Sequence, residues 1–262
     1  MRRNPLCQSC LWLLPALAVI AVGQGHSRAS TILSLDFDSD TPVTQSGFTS
    51  VSTSSSGTNA PFTDTFGPIT LTLAIGVTSK NANGDLNGSG TAVLISRDRG
   101  TPGTSTGFAY SALYRDFVNI NSSTLGIEFS GLSPGTSYDL TFYSYDNSNT
   151  RVSTFTDVTP GGTGASGSVS YTAGTTFTSS TPTNIDATTI RATTDAQGRV
   201  FFSETAAGAV NGNPILNGIQ IATVAAIPEP TPFATTIVGL GSLAATVRPR
   251  GKRRGSPKAA RL

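Results

Sequence analysis

Between residues 31 and 223 the apolar positions recur every second residue and never with a helical period. Ile69, Leu71, Leu73, Ile75 and Val77 alternate with Thr70, Thr72, Ala74 and Gly76. Leu125, Ile127 and Phe129 alternate with Gly126, Glu128 and Ser130, and Tyr138, Leu140 and Phe142 with Asp139, Thr141 and Tyr143. Successive side chains of a strand point to opposite faces, so each run lays one face on a core and turns hydroxyls outward. Further strands are predicted over 32–37, 92–96, 114–120, 153–158, 168–171, 189–193, 200–204 and 216–221. Turn-forming clusters separate them: KNANGDLNGSG, RGTPGTSTG, SGLSPGTS, PGGTGASG and DAQG. About ten or more short strands at this spacing predict an all-β chain folded as a single β-sandwich. The stretch TSVSTSSSGTN, residues 49–59, reads as a low-complexity loop.

The two ends break the pattern. Arg2 and Arg3 precede an apolar run over 11–22, and small residues follow, which predicts a signal helix within a signal peptide over 1–29, cleaved after Gly23 or Ala29. The other end carries Pro228, Glu229 and Pro230, then an apolar run over 233–247, then Arg248, Arg250, Lys252, Arg253 and Arg254. As a hydrophobic helix that run is a short transmembrane segment, about 22 Å at roughly 1.5 Å per residue, and the basic cluster after it is a stop-transfer signal. The domains are therefore 1–29, a β-sandwich over 30–224 and a tail over 225–262.

Setting the ends aside changes the composition. Cys7, Cys10 and Trp12 all fall in the leader, and the single His, His26, is lost or stranded near the cut. An exported body without cysteine has no disulfides and rests on its core alone. The formal charge of the whole chain is +2, yet residues 30–227 hold seven basic and fourteen acidic groups, a balance of −7. An acidic body argues against nucleic acid as a partner.

The order of tripeptide, apolar run and basic cluster resembles the PEP-CTERM sorting tail of exported bacterial proteins. That resemblance implies recognition by an exosortase-like membrane transpeptidase, transient anchoring in the inner membrane and cleavage near Pro228–Pro230. It further implies release or display at the cell surface. Within the body, ALYRDFVNINSSTLGIEFSGLSPGTSYDLTFYSYDN resembles a segment common in such proteins. GLSPGTSYDL is similar to the tyrosine-corner region of a fibronectin type III domain, implying that the Tyr138 hydroxyl bonds back to the turn. DAQGRVFFSETAAGAVNGNPILNGIQI resembles the last strands of a galactose-binding-like or malectin-like jelly roll. A jelly roll is accordingly the preferred sandwich and an immunoglobulin- or fibronectin-like one the second.

Candidate chemistry is sparse. A body without cysteine or a placed histidine has no thiol nucleophile, imidazole base or common zinc set. Gly164-Ala165-Ser166-Gly167 is only a fragment of a nucleophile elbow. An enzyme is not expected, and glycoside chemistry ranks third among the functions considered. Asn83, Asp85 and Asn87 begin like a calcium loop, but Leu94 stands where the bidentate Glu belongs, so a plain Asn-Gly turn is the better reading. Asp36, Asp38 and Asp40 fall on one face of a strand; a calcium ion would relieve their repulsion, and a solvated strand end is the alternative. Tyr143 and Tyr145 on one strand face, with Arg115, Tyr110, Tyr114 and Asp146 near in sequence, make a candidate glycan site; packing beneath a loop is the alternative. The expected function is a structural or adhesive role in an extracellular polysaccharide layer, with a stand-alone carbohydrate-binding module second.

Overall fold

Strands account for all the extended regular structure among the described residues of the computed structural model, which are 29–38, 43–53, 61–76, 94–100, 107–120, 124–178, 180–183, 186–208 and 213–224. Both terminal helices expected from the sequence, with Pro228–Pro230 and the basic cluster, lie outside these residues. One sheet has five strands in the order β11 (Ala187–Thr193), β8 (Ser137–Tyr143), β14 (Gly218–Thr223), β1 (Thr31–Asp38) and β2 (Thr49–Ser52). A second has six: β10 (Ser166–Tyr171), β9 (Arg151–Asp157), β12 (Val200–Ala207), β7 (Thr124–Ser130), β4 (Ile69–Ile75) and β3 (Phe62–Phe66). A three-stranded sheet joins β13 (Ile215–Leu216), β6 (Asp116–Ile120) and β5 (Leu94–Asp98). All pairs are antiparallel except β1 with β2.

The fold is an all-β sandwich, built where the alternation requires it. Leu35, Phe37, Leu140, Phe142, Ile219 and Ile221 of the five-stranded sheet are fully buried. They meet Leu71, Ile127, Phe129, Phe155 and Phe202 of the six-stranded one in a single apolar cluster. Phe142 stacks on Phe155 with centroids 4.5 Å apart and meets Phe202 edge-on at 4.8 Å, locking the two sheets face to face. Eleven strands in these two sheets exceed what an immunoglobulin-like sandwich holds. The corner at Tyr138 forms as expected: its hydroxyl accepts the Ser133 backbone N–H at 3.2 Å.

Four elements differ from the sequence reading. Residues 49–52 form β2 rather than loop: Val51 is the one buried side chain of four, too few to show a period. β3 was not anticipated, because its exposed threonines alternate with only half-buried partners. Residues 109–115 coil in successive turns, with Tyr114 N–H donating to the Tyr110 carbonyl at 3.3 Å, so β6 begins at Asp116 and not at Tyr114. The run 216–221 breaks at Asn217, where the chain passes from the three-stranded to the five-stranded sheet.

That break is closed by a buried polar junction. A chain leaving one ladder for another exposes peptide groups that must find partners inside the protein. Asn217, fully buried, supplies them. Its Nδ2 donates to the Asp116 carbonyl at 2.7 Å and its Oδ1 accepts the Tyr145 N–H at 2.6 Å. Its own N–H donates to Tyr143 and its carbonyl accepts from Phe37, both at 2.9 Å. Replacing Asn217 with Leu keeps the volume and orphans two buried backbone groups, at about 1–3 kcal/mol each. Urea unfolding of Asn217→Leu is expected to show a loss of roughly 2–6 kcal/mol; a loss within error of zero would mean the junction is held by its neighbours instead.

Candidate functional site

The outward face of the five-stranded sheet carries the site. Pairing register sets Asp139, Thr141 and Tyr143 of β8 beside Arg191, Thr189 and Ala187 of β11, and beside Ala222, Gln220 and Gly218 of β14. Thr141 and Thr189 share a hydroxyl hydrogen bond of 2.8 Å. Arg191 clamps Asp139 with two bonds of 2.8 and 3.0 Å, closing that end of the row with a neutralised pair. Gln220 Nε2 donates to Ser34 Oγ on β1 at 3.1 Å.

At the Tyr143 end the face is roofed. Segment 107–115 and the segment between β10 and β11 meet through Ala109 N–H to Ser180 carbonyl at 3.2 Å and through Phe108 stacked on Phe177 at 4.3 Å. Tyr114 stacks on Phe177 at 5.4 Å, and its hydroxyl donates to the Asp186 carbonyl at 2.9 Å. Leu113 reaches the sheet over Gly218, where any Cβ would stand 2.6 Å from Leu113 Cδ1 and from the Leu35 carbonyl; only glycine lets the roof sit that low. Segment 43–48 tucks in beside it. Gln45 bridges to Ala109 through Nε2 at 2.9 Å and to Leu113 through Oε1 at 3.4 Å, while Phe48 packs edge-on against Tyr110 and Tyr143.

The edge of this roof leaves a cleft of about 380 Å³. Thr141, Tyr143, Ala187 and Thr189 line it from the sheet, and Pro182 and Thr183 from the roof. Burial raises the Tyr143 hydroxyl above its ordinary range, and that hydroxyl donates to Gln220 Oε1 at 3.5 Å. Tyr143 is 4% exposed, so the cleft offers the edge of one aromatic ring, an apolar rim and several hydroxyls.

Of the residues singled out from sequence, Tyr143 borders this cleft. Tyr145 lies past the end of β8, is fully buried, and donates its hydroxyl to Asn147 Oδ1 or the Thr175 carbonyl, both at 3.1 Å. Arg115 turns to Asp98 in a bidentate pair with a shortest distance of 2.6 Å. Tyr114 is the centre of the buried aromatic roof, and Asp146 is buried between Arg99 and Arg151, 3.5 Å from each. The expected outward pair of tyrosines is thus corrected: the roof converts that face into interior, burying both rings and leaving only the edge of Tyr143 at the cleft. Thr189 and Pro182 carried no signal in the sequence, because a threonine in a strand and a proline in a turn are ordinary.

Asp36 and Asp38 project on the face opposite Leu35 and Phe37, but neither is solvated; both are fully buried beneath segment 43–48. Asp36 Oδ2 accepts the Gln45 N–H at 2.6 Å, and Asp38 Oδ2 accepts the Thr44 hydroxyl at 2.8 Å. The Oδ1 atoms of both have no hydrogen-bond partner among the described residues. Asp40 lies outside the described residues, among which no group of three His, Cys, Asp or Glu is placed to hold a metal ion.

No protein-family model matches the chain, and no curated protein matches it. Among solved structures, the P-domain of Macrobrachium rosenbergii nodavirus is 20% identical over 51% of this chain and 94% of that one, with a TM-score of 0.27. The enzymatically active domain of tailspike protein 4 from bacteriophage CBA120 is 13% identical over 63% of this chain and 18% of that one, with a TM-score of 0.22. Likenesses this distant carry no argument about function.

Three buried carboxyls set the response to pH. Burial, helped by the charges of Asp38 and Asp116 and opposed by the Gln45 bond, raises Asp36 to about 7. Burial raises Asp186 to about 6 against its bonds from Thr183. It raises Glu204 to about 8 against bonds from Ser153 and Ile215 and the charge of Arg151. Each value in the folded protein lies above that of the unfolded chain, so folding favours the protonated acids. Their contribution is complete below about pH 4 and is lost as pH rises through roughly 6 to 8. Melting temperature is expected to fall between pH 5 and pH 9, with a shallower fall in Asp36→Asn; a melting curve unchanged across that window would mean these groups titrate normally.

Proposed function

We propose that the chain is an exported surface or extracellular-matrix protein, matured by an exosortase-like system, with a structural or adhesive role in a polysaccharide layer. The observation that carries this reading is the cleft beside Tyr143, which pairs the edge of an aromatic ring with threonine hydroxyls and contains no charged lining side chain among the described residues. Sugars combine apolar ring faces with dense hydroxyls, and such a surface complements both. The sequence supplies the address: a leader, an acidic body and a tail that resembles a sorting signal. The six-stranded sheet adds to the reading with outward hydroxyl pairs, Thr63 with Thr72, Thr65 with Thr70 and Thr154 with Ser168, at 3.5, 3.2 and 3.0 Å. These hydroxyl pairs keep that face hydrated, with Glu128 beside Thr72 in the register.

The test is the intact mass of the protein recovered from the producing cells and medium, with co-sedimentation against the producer's own matrix polysaccharide. A mass lacking both ends, with the new C-terminus near Pro228–Pro230, and retention on the matrix are expected. A chain keeping Arg248–Leu262 would replace sorting by simple membrane anchorage. A folded protein that never partitions with the matrix would overturn the adhesive role.

A further inference from the structure

From the lining of the cleft beside Tyr143 we infer that it is a subsite for a neutral hexose unit of a polysaccharide chain and discriminates against uronic acids. This inference rests on the polysaccharide reading above and narrows it to one ligand class at one place. Three features carry it. Shape comes first: about 380 Å³ lies near the lower end of small-molecule sites, roughly 300–1,000 Å³, which suits a short portion of a chain rather than a long groove. Chemistry comes second: Pro182 and the edge of the Tyr143 ring, whose faces pack against Phe48, Tyr110 and Tyr114, offer apolar surface for the carbon-bound hydrogens of a pyranose. The paired hydroxyls of Thr141 and Thr189, 2.8 Å apart, together keep one O–H donor and acceptor lone pairs on both oxygens for the sugar's own hydroxyls.

Electrostatics decides between neutral and acidic sugars. The nearest guanidinium on this face, Arg191, is already committed to Asp139 by two hydrogen bonds. Asp186 stands beneath the rim, close enough for its charge to raise the Tyr143 hydroxyl. A carboxylate in the cleft would lose hydration, find no cation among the described lining residues and face that negative charge. A neutral hexose meets none of these costs. Tyr145 and Arg115 take no part, since one is interior and the other is held by Asp98.

Affinity electrophoresis of the full chain through gels containing dextran, mannan or polygalacturonate tests the inference. Retardation by a neutral polymer and none by polygalacturonate is expected. Thr189→Gln, an uncharged change at an exposed strand position that fills the cleft, should weaken retardation about tenfold or more. Thr141→Val with Thr189→Val keeps the strand shape and removes the hydroxyls, and should do the same. Near-ultraviolet circular dichroism confirms the fold of both variants. Equal or stronger retardation by polygalacturonate overturns the neutral preference and leaves the polysaccharide reading standing. Retardation unchanged in both variants overturns the cleft as the site. A folded chain retarded by no polymer here, yet retained by its own matrix, overturns the neutral-hexose assignment alone; loss of both removes the broader reading as well.

Discussion

A sandwich whose chain changes sheet within one residue must satisfy every peptide group at the crossing, and here one asparagine does so. Asn217 spends both ends of its amide on backbone groups of the β6 start and the β8 exit, and its own peptide on β1 and β8. Four hydrogen bonds converge on one fully buried position, where the interior's low dielectric makes each costly to leave unmade. The three-stranded sheet, the roof over Gly218 and the direction of Tyr143 all inherit their placement from it. Gly218 follows directly in the chain, so the residue that turns the corner also sets where the roof is allowed to touch down.

The roof in turn explains why a protein with so acidic a body hides acids. A five-stranded sheet with hydroxyls outward would need no cover, but its Asp36–Tyr143 end carries large rings that gain from leaving water. Covering the rings covers the adjacent carboxyls too. Asp36 is tolerated there because Gln45 reaches it from the strap and because it exists largely as the neutral acid in acidic surroundings. The aromatic gain and the carboxyl cost are two sides of one burial, so they cannot be separated by altering the strap alone.

The sandwich was legible where fully buried residues alternate with half-buried polar ones, as along much of β4 and β8, since alternation is then written directly in residue types. It was hidden where burial is one-sided in an unusual way. β2 shows a single apolar residue, and β1 reads as a strand but gives no hint that its aspartates face the interior. The cleft was half visible: an outward Tyr143 follows from parity with Leu140 and Phe142. The roof that excludes Tyr145 depends on contacts between segments over sixty residues apart, such as Tyr114 with Phe177 and Gln45 with Ala109. No local pattern encodes a meeting of that kind, whereas the turn at SGLSPGTS and its bond to Tyr138 are local and were read correctly.

β14 lies at the centre of its sheet, flanked by β8 and β1, with Gly218 opposite Tyr143 at one end and Thr223 opposite Tyr138 at the other. Thr223 is also tied to Ser30 by its backbone N–H at 2.9 Å and to the Ser30 N–H through its hydroxyl at 3.1 Å. A pull on the chain beyond Thr223, resisted by something seated at Tyr143, therefore runs lengthwise through this strand. Its hydrogen bonds to both neighbours carry such a load side by side in shear, and they cannot be peeled open one at a time. The central placement of β14 gives it resistance to shear that arises from strand order and needs no covalent cross-link.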